Sequence, residues 1–263
     1  MLECAAHPNI HLYAYSEIKE ISGHIGDFSV VIRKKPRFID EDKCTGCGAC
    51  SPVCPVVVPN EFNCGLDGRK AIYSLFAQAV PLKYTIDIDA CIQCGLCKKV
   101  CEEKAINFDQ QPEDIHVNVG TMIITTGFKT FDPTGQFGYG KFANVITQLE
   151  LERLIAPNGP TFGELRRISD DKHPKKILMI QCVGSRNIQD NEYCSAGVCC
   201  LVALKNASLI KQHDPSVDIT IVYMDMRTPG KYYEEYYKRI RELGVKFIRG
   251  NFTTIHEDPE TKK

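Results

Sequence analysis

Residues 44–55 read CTGCGACSPVCP, and residues 91–102 read CIQCGLCKKVCE. Both contain the same cysteine pattern, in which three cysteines are separated by two residues each and a fourth follows after three more. Three thiolates at this spacing share one seven-residue turn, where they can ligate one side of an inorganic group. Gly46, Gly48 and Gly95 allow the backbone to pass close to such a group. The chain is therefore predicted to contain a metal-binding module built from two similar halves.

The spacing of the two runs is typical of two-cluster ferredoxins, in which the fourth cysteine of each run ligates the 4Fe–4S cluster of the other run. We therefore predict two cubane clusters with crossed ligands and a role in electron transfer. The expected ligand sets are Cys44, Cys47, Cys50 and Cys101 for one cluster, and Cys91, Cys94, Cys97 and Cys54 for the other.

Zinc is the alternative occupant, because paired thiolates at short spacing also build tetrahedral zinc sites. A zinc site favours two separated CxxC pairs, whereas three ligands share each turn here. Pro55 follows the first run as in bacterial ferredoxins, and Glu102 stands at that place in the second run. Residues 38–47 and 84–94 each lead a short strand and acidic residues into the first ligand, which predicts a pseudo-twofold. These features favour iron–sulfur clusters.

The composition is that of a globular protein with length for two domains: 263 residues, 43% apolar and 25% charged. A formal net charge of -1 argues against nucleic acid or an anionic membrane as a partner. The 14 cysteines group at metal-ligand intervals, and the chain shows neither a signal-peptide segment nor an apolar run of bilayer length. We predict a cytoplasmic protein in a reducing compartment, with no membrane span.

The segments around the module read as β structure. Residues 9–21 and 27–35 alternate apolar and polar side chains around a glycine-containing turn, which predicts a hairpin. Residues 69–82, between the cysteine runs, have mixed periodicity; a helix, a docking surface and core packing are all open, with core packing favoured. In residues 114–128, Ile115, Val117 and Val119 alternate and a buried run is expected at residues 122–124. The module is therefore predicted to be inserted into a larger domain.

From Lys175 onward strands and helices alternate, which predicts a parallel sheet with crossover helices in a doubly wound architecture. The first strand is expected to end at Cys182 and the next helix to begin near Cys199. The segments are KKILMIQCV (175–183), VCCLVALKNASLIKQH (198–213), VDITIVYMD (217–225), KYYEEYYKRIRELG (231–244) and VKFIRG (245–250).

A second cysteine group lies where this first strand ends, at the sheet edge where open α/β sheets bind their ligands. A nucleotide-binding domain would carry G-x-G-x-x-G there, and this chain has CVGSRN. The vicinal pair Cys199–Cys200 is expected at the start of a helix, where amide dipoles stabilise negative charge. Arg186, nearby in the sequence, could offset the charge of a cluster. We predict a third cluster; a buried thiol pair with a reactive Cys194 is the alternative. The expected ligands are Cys182, Cys194, Cys199 and Cys200.

Several segments together resemble the family of the iron–sulfur/FAD subunit of CoB–CoM heterodisulfide reductase, over essentially the whole chain. They are HPNIHLYAYSEIKEISG, DEDKCTGCGACSPVCPVVVPNEFNCGL, IITTGF, FANVITQLELERL, QCVGSR, YCSAGVCC and IVYMDMRTPGKYYEEYYKR. The family is a flavin-containing iron–sulfur oxidoreductase, which in methanogens belongs to a complex that bifurcates electrons between ferredoxin and the coenzyme M–coenzyme B heterodisulfide. The resemblance implies a hetero-oligomer with other heterodisulfide reductase or hydrogenase-type subunits, and ferredoxin as a partner.

The resemblance also implies the fold class: an α/β, thioredoxin-reductase-like flavoprotein with two dinucleotide domains, present here in part, and an inserted α+β ferredoxin domain. Residues 1–37 and 111–170 are expected to be FAD-domain β segments and linker, residues 38–110 the ferredoxin domain, and residues 171–263 an incomplete Rossmann-like domain. In the family, the segment matching Thr125, Thr126 and Gly127 closes against FAD.

Two departures from the family pattern shape the expectations. The phosphate-binding G-x-G-x-x-G is missing, so a truncated chain without stable FAD is expected. The vicinal pair also follows Cys194 one residue later than in the family. The predicted function is electron transfer through the clusters, with no residue acting as acid, base or nucleophile. The alternative is a freestanding ferredoxin-like carrier whose α/β half is an interaction module.

Overall fold

The computed structural model describes residues 2–260 and divides the chain after Gly127 into two compact units. The first unit begins with the short helix α1 (Leu2–Ala6) and contains a three-stranded antiparallel sheet. Its strands are β1 (Ser16–His24), β2 (Asp27–Lys34) and a later strand, Glu113–Val119. The predicted hairpin is confirmed, because β1 pairs antiparallel with β2 around a turn with Gly26 at φ 93°.

The central strand β2 pairs with the later strand from Phe28 opposite Val119 to Lys34 opposite Glu113. Residues 35–112 therefore lie outside this sheet, and the chain re-enters it at Glu113 as the strand next to β2. Ion pairs join the sheet at its exposed surface, where Asp114 contacts Arg33 at 2.8 Å.

The prediction of a buried run at residues 122–124 is wrong. Ile123 is 87% exposed and Ile124 is 79% exposed. The sheet strand ends at Val119, so these side chains lie on irregular chain without a neighbouring strand to cover them. The first predicted strand is also shorter than expected, because residues 10–15 form no strand and β1 begins at Ser16.

The segment between β2 and Glu113 is built from short elements around a small apolar core. Residues 69–82 form no helix; Ala71 and Ile72 are buried, which confirms core packing as the role of this part. Ile39 pairs with Ile106 through an isolated bridge and closes the core. The elements are β3 (Val57–Pro59), a 3-10 turn (Glu61–Asn63), β4 (Gly68–Lys70), β5 (Ile72–Tyr73), β6 (Thr85–Ile86) and α2 (Leu96–Val100), and Glu113–Val119 is β7.

The second unit contains a parallel three-stranded sheet in the order β10-β9-β8, which confirms the predicted α/β pattern. Its first strand ends two residues before Cys182. Its core is formed where Leu204 and Ala207 of the long helix pack on Ile219 and Ile221 of the central strand. The elements are α3 (Gln148–Ile155), β8 (Lys176–Ile180), α4 (Val198–His213), β9 (Asp218–Tyr223), α5 (Tyr233–Glu242) and β10 (Lys246–Arg249).

The mixed α/β class is thus observed, while the two-dinucleotide-domain flavoprotein fold stays a prediction. Among residues 2–260, no helix combines the length and the apolar character needed to span a bilayer.

Candidate metal centres

The same backbone turn precedes each ferredoxin-type cysteine run. The Cys44 amide donates to the Asp40 carbonyl at 2.9 Å, and the Cys91 amide donates to the Asp87 carbonyl at 3.0 Å. The carboxylate of each aspartate also accepts from the following turn; Asp87 Oδ1 accepts from the Ala90 amide at 3.3 Å. Local hydrogen bonds therefore orient the first cysteine of both runs in the same way, as the pseudo-twofold of the sequence predicts.

A cavity at the second run is lined by four of the predicted ligands. Its cavity volume, counted as the space open to the centre of a water molecule, is about 20 Å³. Apolar side chains, including Ile72, Ile86 and Phe108, form the rest of its wall. The cysteines that line it are Cys54, Cys91, Cys94 and Cys97, so the fourth cysteine of the first run faces the first three of the second.

Cysteines of the first run also pack against the apolar core of the module. Cys44, Cys50 and Cys101 pack against that core, and Cys47 is exposed. Burial raises the pKa of the Cys50 thiol to about 12, and the neighbouring Cys44 and Cys47 thiols add to the rise. The Cys50 thiol is therefore poorly hydrated, and a bound inorganic cluster would stabilise the thiolate charge that water does not stabilise there.

Two backbone amides already donate to cysteine sulfur. The Ala105 amide donates to Cys101 Sγ at 3.3 Å, and the Gln93 amide donates to Cys91 Sγ at 3.4 Å. Amide donors of this kind stabilise negative charge on a ligand sulfur and help to set cluster potentials. They come from turn geometry, so the side-chain pattern of the sequence contains no signal for them.

The second cysteine group lies at the carboxyl ends of β8 and β9. Cys182 and Cys200 are buried, and Cys199 is half-buried. The chain that follows β9 packs closely against the start of α4, since a Cβ at Gly197 would lie 2.6 Å from Pro229 Cδ. The thiols interact: a hydrogen bond between the vicinal pair lowers the pKa of Cys199 and raises that of Cys200. Cys182 is in electrostatic contact with both.

Of two buried donors in this part of the chain, the Arg186 guanidinium interacts with the Cys182 thiol and fits an anionic group. Arg186 Nη2 donates to Asp225 Oδ2 at 2.8 Å, while Nη1 is buried and has no hydrogen-bond partner within residues 2–260. Gln181 Nε2, adjacent in sequence to Cys182, is likewise buried without a partner in the described part of the chain. An unpaired buried donor is unfavourable, and thiolate or sulfide charge would satisfy it. Cys194, the fourth predicted ligand, lies half-buried in the preceding loop.

In the described range, no group of three or more His, Cys, Asp or Glu side chains is already arranged to hold a metal ion. The eight cysteines of the two runs and the four of the second group form no disulfide.

The predicted flavin segment is exposed. Thr125, Thr126 and Gly127 lie on irregular chain, and a Cβ added at Gly127 would meet no atom within 4 Å. A flavin site surrounds its ring system with protein, so these three residues do not by themselves fit FAD.

The part of the chain that contains the two cysteine runs is similar to the dicluster class of iron–sulfur domains. Residues 40–106 match the family profile described as "4Fe-4S dicluster domain".

Curated relatives match the chain from end to end. It is 57% identical over 265 residues to the iron–sulfur subunit of the CoB–CoM heterodisulfide reductase of Methanocaldococcus jannaschii. It is 58% identical over 266 residues to a subunit of the H(2)/formate:CoB-CoM heterodisulfide,ferredoxin reductase of Methanococcus maripaludis. A heterodisulfide reductase iron–sulfur subunit of Methanopyrus kandleri is 56% identical over 271 residues.

Each of these three matches covers 100% of this chain and 40% of the relative. The resemblance predicted from the sequence is confirmed. The chain is homologous over its whole length to part of the iron–sulfur subunit of CoB–CoM heterodisulfide reductase.

Proposed function

We propose that this chain is an electron-transfer segment of a heterodisulfide-reductase-like oxidoreductase. The observation that carries the proposal is the cavity lined by Cys54 together with Cys91, Cys94 and Cys97. It brings a distant cysteine of one run to the three local cysteines of the other, which is the ligand arrangement of two-cluster ferredoxins. The relatives named as heterodisulfide reductase subunits support the same reaction class.

The residues of the module hold and insulate the clusters in this proposal. Cys44, Cys47, Cys50 and Cys101 hold one, and Cys91, Cys94, Cys97 and Cys54 hold the other. When bound, such clusters supply one-electron transfer. The apolar core formed by Ile39, Ile72, Ile86 and Ile106 excludes water on the inner side of both runs. The exposed positions of Cys47 and Cys94 leave each run one edge toward solvent, where an electron donor or acceptor can approach.

We further propose a third iron–sulfur cluster in the second unit, held by Cys182, Cys199 and Cys200 with Cys194 as the fourth ligand. The buried unpaired donors of Arg186 and Gln181 support an anionic occupant. Ligation by Cys194 requires the loop before α4 to bring its thiol to the other three. This third site is independent of the ferredoxin module and can fail without affecting the first proposal.

The assignment to a larger complex is also a proposal. The chain spans about 40% of the length of its relatives. We propose that it acts in the cytoplasm as part of a hetero-oligomer with other heterodisulfide reductase or hydrogenase-type subunits, exchanging electrons with ferredoxin in an electron-bifurcating reaction. We also propose that FAD is bound by the larger protein, where Thr125, Thr126 and Gly127 would form only part of its site.

The test is to measure iron, acid-labile sulfide, zinc and flavin per chain on anaerobically purified protein, with EPR of the reduced sample. About eight iron and eight sulfide are expected for the ferredoxin module alone, and about twelve of each with the third site filled. Zinc without sulfide would overturn the electron-transfer proposal. Full iron and sulfide in a chain that exchanges no electrons with other heterodisulfide reductase subunits would instead favour a freestanding carrier.

A further inference from the structure

The segment before the second cysteine run lies over the first run. Lys83 Nζ donates to the carbonyl oxygen of Cys44 at 2.6 Å, in a partly buried position. The adjacent Leu82 is in close contact with the same turn, because a Cβ at Gly46 would lie 2.7 Å from the Leu82 carbonyl oxygen. The ammonium group of Lys83 is therefore held against the backbone of a predicted ligand.

Tyr84 extends this contact. Its hydroxyl would lie 3.0 Å from a Cβ placed at Gly48, in the middle of the first run. Its ring packs against the module core that Cys44 and Cys50 also contact. Residues 82–84 thus contact the first half of the run, at Cys44, Gly46 and Gly48, and the half-buried Lys83 carries its charge there.

The charge of Lys83 is not compensated by an acid. Within residues 2–260, no carboxylate lies at ion-pair distance from Lys83. The cation beside the second run is different: Arg69 contacts Asp87 at 2.9 Å and Glu61 at 2.8 Å, so two carboxylates oppose one guanidinium. Lys98 and Lys99 of α2 are exposed, where water and salt screen their charge. The two halves of the module share their cysteine spacing and differ in local charge.

We propose that Lys83 raises the reduction potential of the cluster on Cys44, Cys47, Cys50 and Cys101. This inference rests on the proposed function. Reduction adds one electron to the cluster, and a nearby unpaired cation stabilises the added negative charge. We expect removal of the charge to lower the equilibrium constant for reduction about tenfold, which corresponds to about 59 mV for a one-electron couple.

The experiment is an EPR-monitored redox titration of the full chain and of its Lys83→Gln, Lys83→Arg and Lys99→Gln variants. Glutamine keeps an N–H donor for the Cys44 carbonyl, so Lys83→Gln isolates the charge from the hydrogen bond. We expect it to lower one midpoint potential by about 59 mV and to leave the other unchanged. Lys83→Arg, which keeps the charge, is expected to keep the wild-type midpoint potential. Lys99→Gln, the control for an exposed lysine, is expected to leave both midpoint potentials unchanged. The titration is repeated in a Cys94→Ala background, which is expected to keep only the cluster on the first run. A shift that persists there belongs to that cluster.

Iron and sulfide analysis separates the possible failures. Unchanged potentials in a Lys83→Gln protein with full iron and sulfide would overturn the inference and leave the proposed function intact. Loss of iron from both Lys83→Gln and Lys83→Arg would also overturn it, because the side chain would then be needed for shape and not for charge. A wild-type protein without sulfide would instead overturn the proposed function.

Discussion

Crossed ligation can be tested by removing cysteines in pairs. Cys54 lines one cavity together with Cys91, Cys94 and Cys97. The proposed crossed ligation assigns Cys54 and Cys94 to one cluster and Cys47 to the other. The double variant Cys54→Ala/Cys94→Ala is therefore expected to lose one cluster and keep about four of eight ferredoxin-type irons. The double variant Cys54→Ala/Cys47→Ala damages both sites, so it is expected to keep almost none.

The two variants form a matched pair. Each removes one half-buried and one exposed thiol from the same module, so differences in general stability are small. Cys64→Ala is the single control, because Cys64 has the same partial burial as Cys54 and lies outside both runs. The assay is iron and acid-labile sulfide per chain on anaerobic protein, with EPR of the reduced state. Retention of about four irons by Cys54→Ala/Cys47→Ala, with almost none in Cys54→Ala/Cys94→Ala, would show uncrossed ligation and refute the reasoning.

Three further outcomes follow from backbone contacts, core packing and charge. Gly46→Ala places a Cβ 2.7 Å from the Leu82 carbonyl oxygen and is expected to lower iron occupancy of the first run; Gly65→Ala, at a similar positive φ but in open space, is expected to keep it. Equal iron in both variants would contradict this. Leu204→Ala, in the fully buried core of the second unit, is expected to lower the free energy of unfolding by about 2–5 kcal/mol, measured by urea denaturation. A loss below about 1 kcal/mol would mean that the core collapses around the change. The hydrogen bond and charge of Arg33 on the neighbouring strand hold the pKa of Asp114 below its usual range. The stability that the Asp114 carboxylate contributes is therefore present above about pH 4 and is lost as the pH falls. Asp114→Asn is therefore expected to flatten the acid side of the pH–stability curve, and an unchanged acid side would exclude this contribution.

Much of the local structure could be read from the residues. The helix α4 spans Val198–His213, the same residues as the apolar segment identified in the sequence, and the strand–helix alternation around it gives the parallel sheet. Periodicity works there because one face of each element is buried against the same core. It failed at residues 122–124, where apolar side chains are exposed, because an apolar run contains no information on whether a neighbouring strand exists to cover it.

The sequence by itself determined the number and local spacing of the candidate ligands, because three cysteines within one turn meet through short-range backbone geometry alone. That spacing also predicted, by analogy with two-cluster ferredoxins, that Cys54 joins the second run. Only the tertiary structure decided which apolar side chains close around these ligands, since Cys54 and Cys94 line one cavity together with Ile72 and Ile86. It also decided that Lys83, far from Cys44 in sequence, donates to that residue's carbonyl. Contacts between distant parts of the chain depend on how the core closes, and no local pattern of residues encodes that closure.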